Sequence, residues 1–255
     1  MPKRARNLPT CPAVRRCLGT SLLIACGLAL GAPAAGAATS APGVSPNGMR
    51  GFANTDRVIE IATRGMRTTH ATARTYELQA HHWRLARGSM PARVGYNGLS
   101  RPAHRHAGDG TTPIGDYGFV YDFGSRRDPG VTGFRWRRLV PGSCWSGTRA
   151  AYNRWVQRTP CDPADEDLWV NHALAYRYAA VIDFNYRDPV YGRGSGIFLH
   201  EQTGAPTAGC VSLRQGDLLS VLRWMRPGTR ILIGPSRWLR SLKRVGPSES
   251  SRASR

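Results

Sequence analysis

Lysine is nearly absent: Lys3 and Lys243 are the only two in 255 residues, so the formal charge of +20 at pH 7 is carried by arginine. The glycine-rich stretch Gly108-Asp109-Gly110-Thr111-Thr112-Pro113-Ile114-Gly115 therefore has no lysine to reach a phosphate. It also has no helical pattern behind it, which excludes a P-loop nucleotide site. Metal-ligand spacing is missing too. His81 with His82, and His104 with His106, are pairs without a third ligand at telling distance, and His172 reads as structural. The acidic stretch Cys161-Asp162-Pro163-Ala164-Asp165-Glu166-Asp167 lacks the glycine and terminal glutamate of a calcium loop. No metal and no cofactor are expected. Nucleic acid is not an expected partner either, because the arginines are scattered singly or in pairs and no recognition motif accompanies them. Between residues 38 and 236 the excess shrinks to 25 basic against 15 acidic residues. A solvated arginine-rich surface, or long-range attraction to an anionic wall or lipid surface, accounts for that remainder.

The first 37 residues carry a targeting pattern. Lys3, Arg4, Arg6, Arg15 and Arg16 precede an apolar run at 18–30, and Ala35-Gly36-Ala37 supplies a small-x-small cleavage site. The run contains glycine and threonine and is too short to span a bilayer comfortably, so a cleaved signal peptide (1–37) is favoured over an anchor. Leu23-Ile24-Ala25-Cys26 also fits a lipoprotein box, so peripheral or lipid-anchored membrane association through Cys26 stays open. Export to the cell envelope or beyond follows in either case. Residues 38–56 read as a flexible linker, 57–234 as one folded domain and 235–255 as a basic disordered tail. Beyond the leader only Cys144, Cys161 and Cys210 remain. Exported chains pair their cysteines, which suggests a Cys144–Cys161 disulfide with Cys210 free, the other reading being three buried thiols.

Short β-type runs dominate the domain. Val58-Ile59-Glu60-Ile61-Ala62 and the stretch at 71–78 read as strands, with shorter candidates at 83–87 and 92–96. A strand is expected over 116–121 and a longer one over 175–186. Leu218, Leu219, Leu222 and Met225 repeat at helical spacing before Pro227-Gly228 stops the helix, and the strand pattern returns at 229–233. One or two helical turns are expected at 149–156, and an arginine-rich loop at 125–141 is expected to cover the site. The class is mainly β, a sandwich or barrel with one or two short helices.

The chemistry concentrates in one stretch. Gly196-Ile197-Phe198-Leu199 reads as the end of a buried strand that delivers His200. Thr203-Gly204-Ala205-Pro206 reverses the chain, and Thr207-Ala208-Gly209-Cys210 returns a thiol toward the imidazole. A thiol becomes a strong nucleophile once ionised, and a neighbouring imidazole can take its proton and stabilise the thiolate.

This order of strand, histidine, turn and Thr-x-Gly-Cys resembles the active-site signature of the L,D-transpeptidases (YkuD-type), bacterial cell-wall cross-linking enzymes. The upstream turn at 108–115, followed by Tyr117 and Phe119, is similar to the Gly-Asp-Gly-x-Thr-Pro-x-Gly turn of the same domain. Ala208 and Ser212 depart from the family's usual histidine and Asn/Arg, and the gap from His200 to Cys210 is short, which marks a divergent branch. The resemblance implies a family-like β-sandwich with Cys210 as nucleophile and His200 as base, the imidazole held by the backbone carbonyl of Glu201. It implies backbone N–H groups at Gly209 and Cys210 as oxyanion donors. Thr207 and Ser212 are either supporting hydroxyls or caps of backbone groups. The implied partners are peptidoglycan stem peptides, joined through a cysteine thioester with release of D-alanine by a protein read as a monomer. An L,D-carboxypeptidase and a non-catalytic wall-binding protein are the alternatives.

Overall fold

The computed structural model describes residues 55–80, 82–170 and 174–241. The leader with Cys26, the linker up to residue 54, His81, His172 and the tail from 242 lie outside the described residues. In chain order the strands are β1 (Arg57–Thr63), β2 (His70–Gln79), β3 (His82–Arg93), β4 (Leu99–Ser100), β5 (Thr112–Pro113), β6 (Gly115–Tyr117), β7 (Phe119–Gly124) and β8 (Trp136–Arg138). They continue with β9 (Ser143–Ser146), β10 (Arg154–Gln157), β11 (Glu166–Asp167), β12 (Ala179–Ile182), β13 (Phe198–Glu201), β14 (Val211–Leu213) and β15 (Arg230–Pro235). Helix α1 is Gln215–Trp224 and α2 is Ser236–Ser241.

Ten strands form one sheet in the order β6-β15-β1-β2-β3-β14-β13-β12-β7-β8. β6 and β7 sit near opposite ends of that order yet are joined by Gly118 alone, so the sheet must curl until its ends meet. This divides the strand expected over 116–121. Each half pairs with a different partner, Asp116 with Leu232 and Asp122 with Ala180. The inside of the curl is filled by alternate residues of several strands, among them Ile59, Ile61, Leu199, Val211 and Leu213, by Leu218, Val221 and Leu222 of α1, and by Met225 just beyond it. Both faces of β1 are covered, so its run is apolar but for Glu60, which is buried in an ion pair with Arg74 at 3.3 Å. Val58 and Ala62, on its other face, pack with Leu232 and with Leu239 of α2.

A three-stranded sheet, β10-β9-β11, packs against the outer face of β7, β12 and β13 and completes the expected sandwich. Phe198 is central to this second core: its ring lies 4.8 Å from that of Trp145, 5.0 Å from Phe123 and 5.6 Å from Tyr176. The Cys144–Cys161 disulfide ties β9 to the segment leading into β11, and Cys210 is the free, buried thiol.

Several sequence expectations change in detail. The candidates at 83–87 and 92–96 belong largely to one strand, β3, with register shifts opposite Ala73, Thr75 and Tyr76. The Gly88-Ser89 pair that reads as a break is a bulge, with Ser89 at φ 55°. At 149–156 a single 3-10 turn, Arg149–Ala151, gives way to β10. The strand expected over 175–186 shortens to β12, because the 3-10 turn Ala175–Arg177 turns Tyr176 into the second core while Tyr178, Ala180 and Ile182 keep to the first. The tail does not start at 235: Pro235 ends β15, and α2 follows with Leu239 fully buried. Among the described residues no helix is long and apolar enough to cross a membrane.

Candidate active site

The parallel pairing of β13 with β14 sets the site. Leu199 faces Val211 and His200 faces Ser212, so Cys210, one residue before β14, comes level with Phe198. Phe198 and His200, two residues apart on one strand, share the face that looks into the second core. The Phe198 N–H donates to Cys210 Sγ at 3.4 Å, and the thiol donates to the Gly196 carbonyl at 3.2 Å. His200 Nδ1 lies 2.8 Å from the Glu201 carbonyl oxygen, which can only accept. Nδ1 therefore carries a proton and the Nε2 lone pair is left for chemistry. The Tyr176 ring meets the imidazole edge to face at 5.6 Å.

His200, Thr207, Gly209 and Cys210 line one pocket of about 460 Å³, together with Gly108, Glu166, Tyr176 and Gly196. No described residue of 125–141 lines it. That segment instead runs beside β7 as β8 and packs Phe134 onto the first core, so the expected cover over the site is not formed by it.

The turn carrying Cys210 is bolted in place from two sides. Thr207 pairs with the 94–96 segment, its N–H donating to the Val94 carbonyl and its carbonyl accepting from Tyr96. The Cys210 carbonyl accepts from Thr207 Oγ1 at 2.7 Å and from Thr112 Oγ1 at 3.1 Å, and Thr112 in turn takes the Gly95 N–H at 2.8 Å. Gly209 has φ +147°, and a Cβ there would lie 2.9 Å from the Thr111 carbonyl oxygen, so only glycine fits. Its N–H donates to Thr207 Oγ1 at 3.2 Å, which engages in the resting state one of the two amides expected to receive an oxyanion.

The glycine-rich turn at 108–115 acts through its polar residues. Asp109 caps the His106 and Thr111 backbone N–H groups at 3.1 and 2.9 Å and forms a buried ion pair with Arg105 at 3.1 Å. Arg105 also donates to Thr111 Oγ1, and one of its guanidinium nitrogens is 3.5 Å from the point where a Gly209 Cβ would sit. Burial lowers the Arg105 pKa and Asp109 raises it in compensation, leaving a fixed cation behind the Cys210 turn.

The electrostatics of the sulfur differ from a preformed ion pair. Burial pushes the Cys210 thiol up to about 12; the Phe198 N–H and Arg105 pull it down, while Glu166 adds to the rise. Burial thus favours the protonated thiol. Glu166 accepts the Tyr176 hydroxyl at 2.7 Å, and burial holds that phenol protonated.

Two of the expected site residues sit differently. The Glu201 side chain turns away from the pocket and clamps Arg177 through both carboxylate oxygens, with Gln215 Nε2 at 3.5 Å, so only its backbone serves His200. Ser212 lies beside His200 in the register, but its buried hydroxyl makes no hydrogen bond among the described residues. Cys144 and Cys161 fix the small sheet and do not line the pocket. Thr112, Arg105, Glu166 and Tyr176 are contributed by segments remote in sequence; the local signals were the 108–115 turn motif, which contains Thr112, and the Arg105–Asp109 spacing of four. No group of three or more His, Cys, Asp or Glu that could hold a metal gathers among the described residues.

A curled, mainly β domain thus brings a buried thiol and an imidazole with a protonated Nδ1 to the wall of one pocket. The chain belongs to the L,D-transpeptidase catalytic-domain family (YkuD), whose family model matches residues 68–233, more than half of its length. Comparison with curated proteins returns no match. Among solved structures the chain is similar to the helical cell shape determining protein Pgp2 from Campylobacter jejuni, at 14% identity and a TM-score of 0.37. That likeness covers 71% of this chain and 49% of the other, about half its length, and is too slight to argue from.

Proposed function

We propose that the protein is an exported cysteine acyltransferase of the cell envelope that cross-links peptidoglycan stem peptides as an L,D-transpeptidase. The observation that carries the reading is the pairing, in one pocket, of the free Cys210 thiol with an imidazole whose Nδ1 is tied to the Glu201 carbonyl. Cys210 Sγ attacks the amide carbonyl between an L-centre diamino acid and a terminal D-alanine, and His200 Nε2 takes the thiol proton as the bond forms. Because the thiol is neutral at rest, this proton transfer belongs to the attack and does not precede it. The N–H groups of Gly209 and Cys210 receive the oxyanion, Gly209 giving up Thr207 Oγ1 to do so. The imidazolium then protonates the departing D-alanine amine, leaving a thioester. An amine of a second stem resolves it into a cross-link and Cys210 regains its proton. The disulfide supports an oxidising compartment and so export.

The test is intact-mass measurement of the protein incubated with a carbapenem, wild type against Cys210→Ala. An adduct on wild type alone is expected; an adduct on both, or on neither, overturns the reading. Muropeptide analysis distinguishes amine from water as acceptor: new cross-links mark a transpeptidase, trimmed stems alone a carboxypeptidase.

A further inference from the structure

Two groups meet the His200 imidazole from different segments, and one ion pair joins those segments behind it. The Glu201 carbonyl accepts the Nδ1 proton at 2.8 Å, and the Tyr176 ring meets the imidazole edge to face. Glu201 has a second attachment through its side chain. Alternate residues of a strand point to opposite faces, so this carboxylate lies on the reverse side of β13 from the imidazole, where Glu201 is 5% exposed. There Arg177, the residue after Tyr176, donates from Nε to Oε2 at 2.9 Å and closes the fork from Nη2 to Oε1. The 3-10 turn that bears Tyr176 and Arg177 is itself tied to the end of β7, the Tyr176 carbonyl accepting the Ser125 N–H at 2.9 Å. A two-pronged guanidinium–carboxylate contact fixes orientation as well as distance. Rotation of the Glu201 peptide therefore pulls against the turn that carries Tyr176.

Charge points the same way. Without Arg177 a nearly buried carboxylate would stand one residue from the base, with Gln215 Nε2 at 3.5 Å as its remaining side-chain contact among the described residues. With Arg177 the pair is neutral, and β13 presents the imidazole without a net charge behind it. We propose that Arg177 is a positioning residue for the acyl transfer: through the Glu201 side chain it fixes the carbonyl that orients His200, and it cancels the carboxylate's charge behind the base. The inference rests on the acyl-transfer reading and adds to it a residue outside the pocket. The other ionisable groups around the imidazole stay the same when positions 177 and 201 are changed. They are Cys210, Glu166 and Tyr176 on the pocket wall, Arg105 behind the Cys210 turn, and Arg93 beyond Ser212 in the ladder.

The imidazole must be neutral to take the thiol proton, so carbapenem acylation slows on the acid side as His200 is protonated. A bare carboxylate behind the base favours the imidazolium and moves that limb to higher pH; a bare guanidinium disfavours it and moves the limb down. The limb's midpoint is read by intact mass over a pH series on wild type, Arg177→Met, Glu201→Gln and the double variant. It is expected about half a pH unit or more above wild type in Arg177→Met, below wild type in Glu201→Gln, and close to wild type in the double variant. Loss of the fork should also slow acylation on the plateau of all three by roughly tenfold. A merely structural role slows them and leaves the midpoint in place. Midpoints that do not move in opposite directions in the two single variants overturn the proposal. Should circular dichroism show Arg177→Met unfolded, Glu201→Gln and the double variant decide, since neither leaves a bare buried carboxylate. A midpoint lowered in the first and restored in the second supports the proposal, and equal midpoints overturn it. No adduct on wild type at any pH overturns the cysteine reading, and the positioning role with it.

Discussion

Cys210 is predicted to be an unreactive thiol until substrate arrives, and its alkylation rate makes that quantitative. With burial raising it to about 12, the thiolate fraction at pH 7.5 is on the order of 10⁻⁴ to 10⁻⁵. A free cysteine of ordinary pKa has roughly a tenth of its molecules ionised at that pH. Alkylation by iodoacetamide, followed by intact mass, is therefore expected to run about 10³-fold slower than for free cysteine, and to rise tenfold per pH unit from 7 to 10 without a plateau. A plateau below pH 8 at a rate near that of free thiolate would refute the neutral-thiol picture and restore a resting thiolate–imidazolium pair. The same shift fixes the sign of a stability effect. A folded-state pKa raised from 9.0 to about 12 means the native state holds its proton more tightly. That contribution is complete below pH 9 and is lost as pH climbs from 9 toward 12, up to about 4 kcal/mol at its limit. Urea midpoints of wild type and Cys210→Ala, compared at pH 7.5 and 10.5, should converge on the alkaline side by roughly half that amount.

Thr112→Val removes one of two hydroxyls on the Cys210 carbonyl; a loss of about 1 kcal/mol in urea unfolding and slower carbapenem acylation are expected, and unchanged acylation would free that carbonyl of any positioning role. Arg105→Met leaves Asp109 buried without its cation, and the fold should lose about 3 to 5 kcal/mol of stability, measured by thermal or urea denaturation. Gly209→Ala drives a Cβ toward the Thr111 carbonyl, so the carbapenem adduct should be lost even where circular dichroism reports a folded domain. Cys144→Ser with Cys161→Ser opens a loop of 17 residues' separation, and a loss of about 3 kcal/mol is expected in chemical denaturation.

What was legible in the sequence is what local pattern controls. The alternation of β2, the β-branched run of β1 around Glu60, the 3.6-residue spacing of Leu218, Leu222 and Met225, and the turn that presents His200 and Cys210 all follow from neighbours in the chain. The Cys144–Cys161 pairing followed from counting thiols. What was not legible depends on which strand lies beside which. Gly88 and Ser89 read as a break because nothing in the sequence shows that β2 continues opposite them and turns the break into a bulge. Gly118 gives no sign that the chain changes partners there. Glu166 looks like one acid in a solvated loop, and Tyr176 like one position of a regular strand. Only the packing of the small sheet on β13 brings that carboxylate into the pocket wall.

The single residue between β6 and β7 has a consequence for how the domain is made. β6 rests on β15, and so does β1, the first strand of the domain, more than 160 residues earlier in the chain. Neither can find its place until the last strand has left the ribosome, so assembly is governed by contacts of very long sequence separation and should be slow. A chain cut before residue 230 would lack the seam on which both depend. Such a polypeptide stays open along that seam for as long as it is being synthesised.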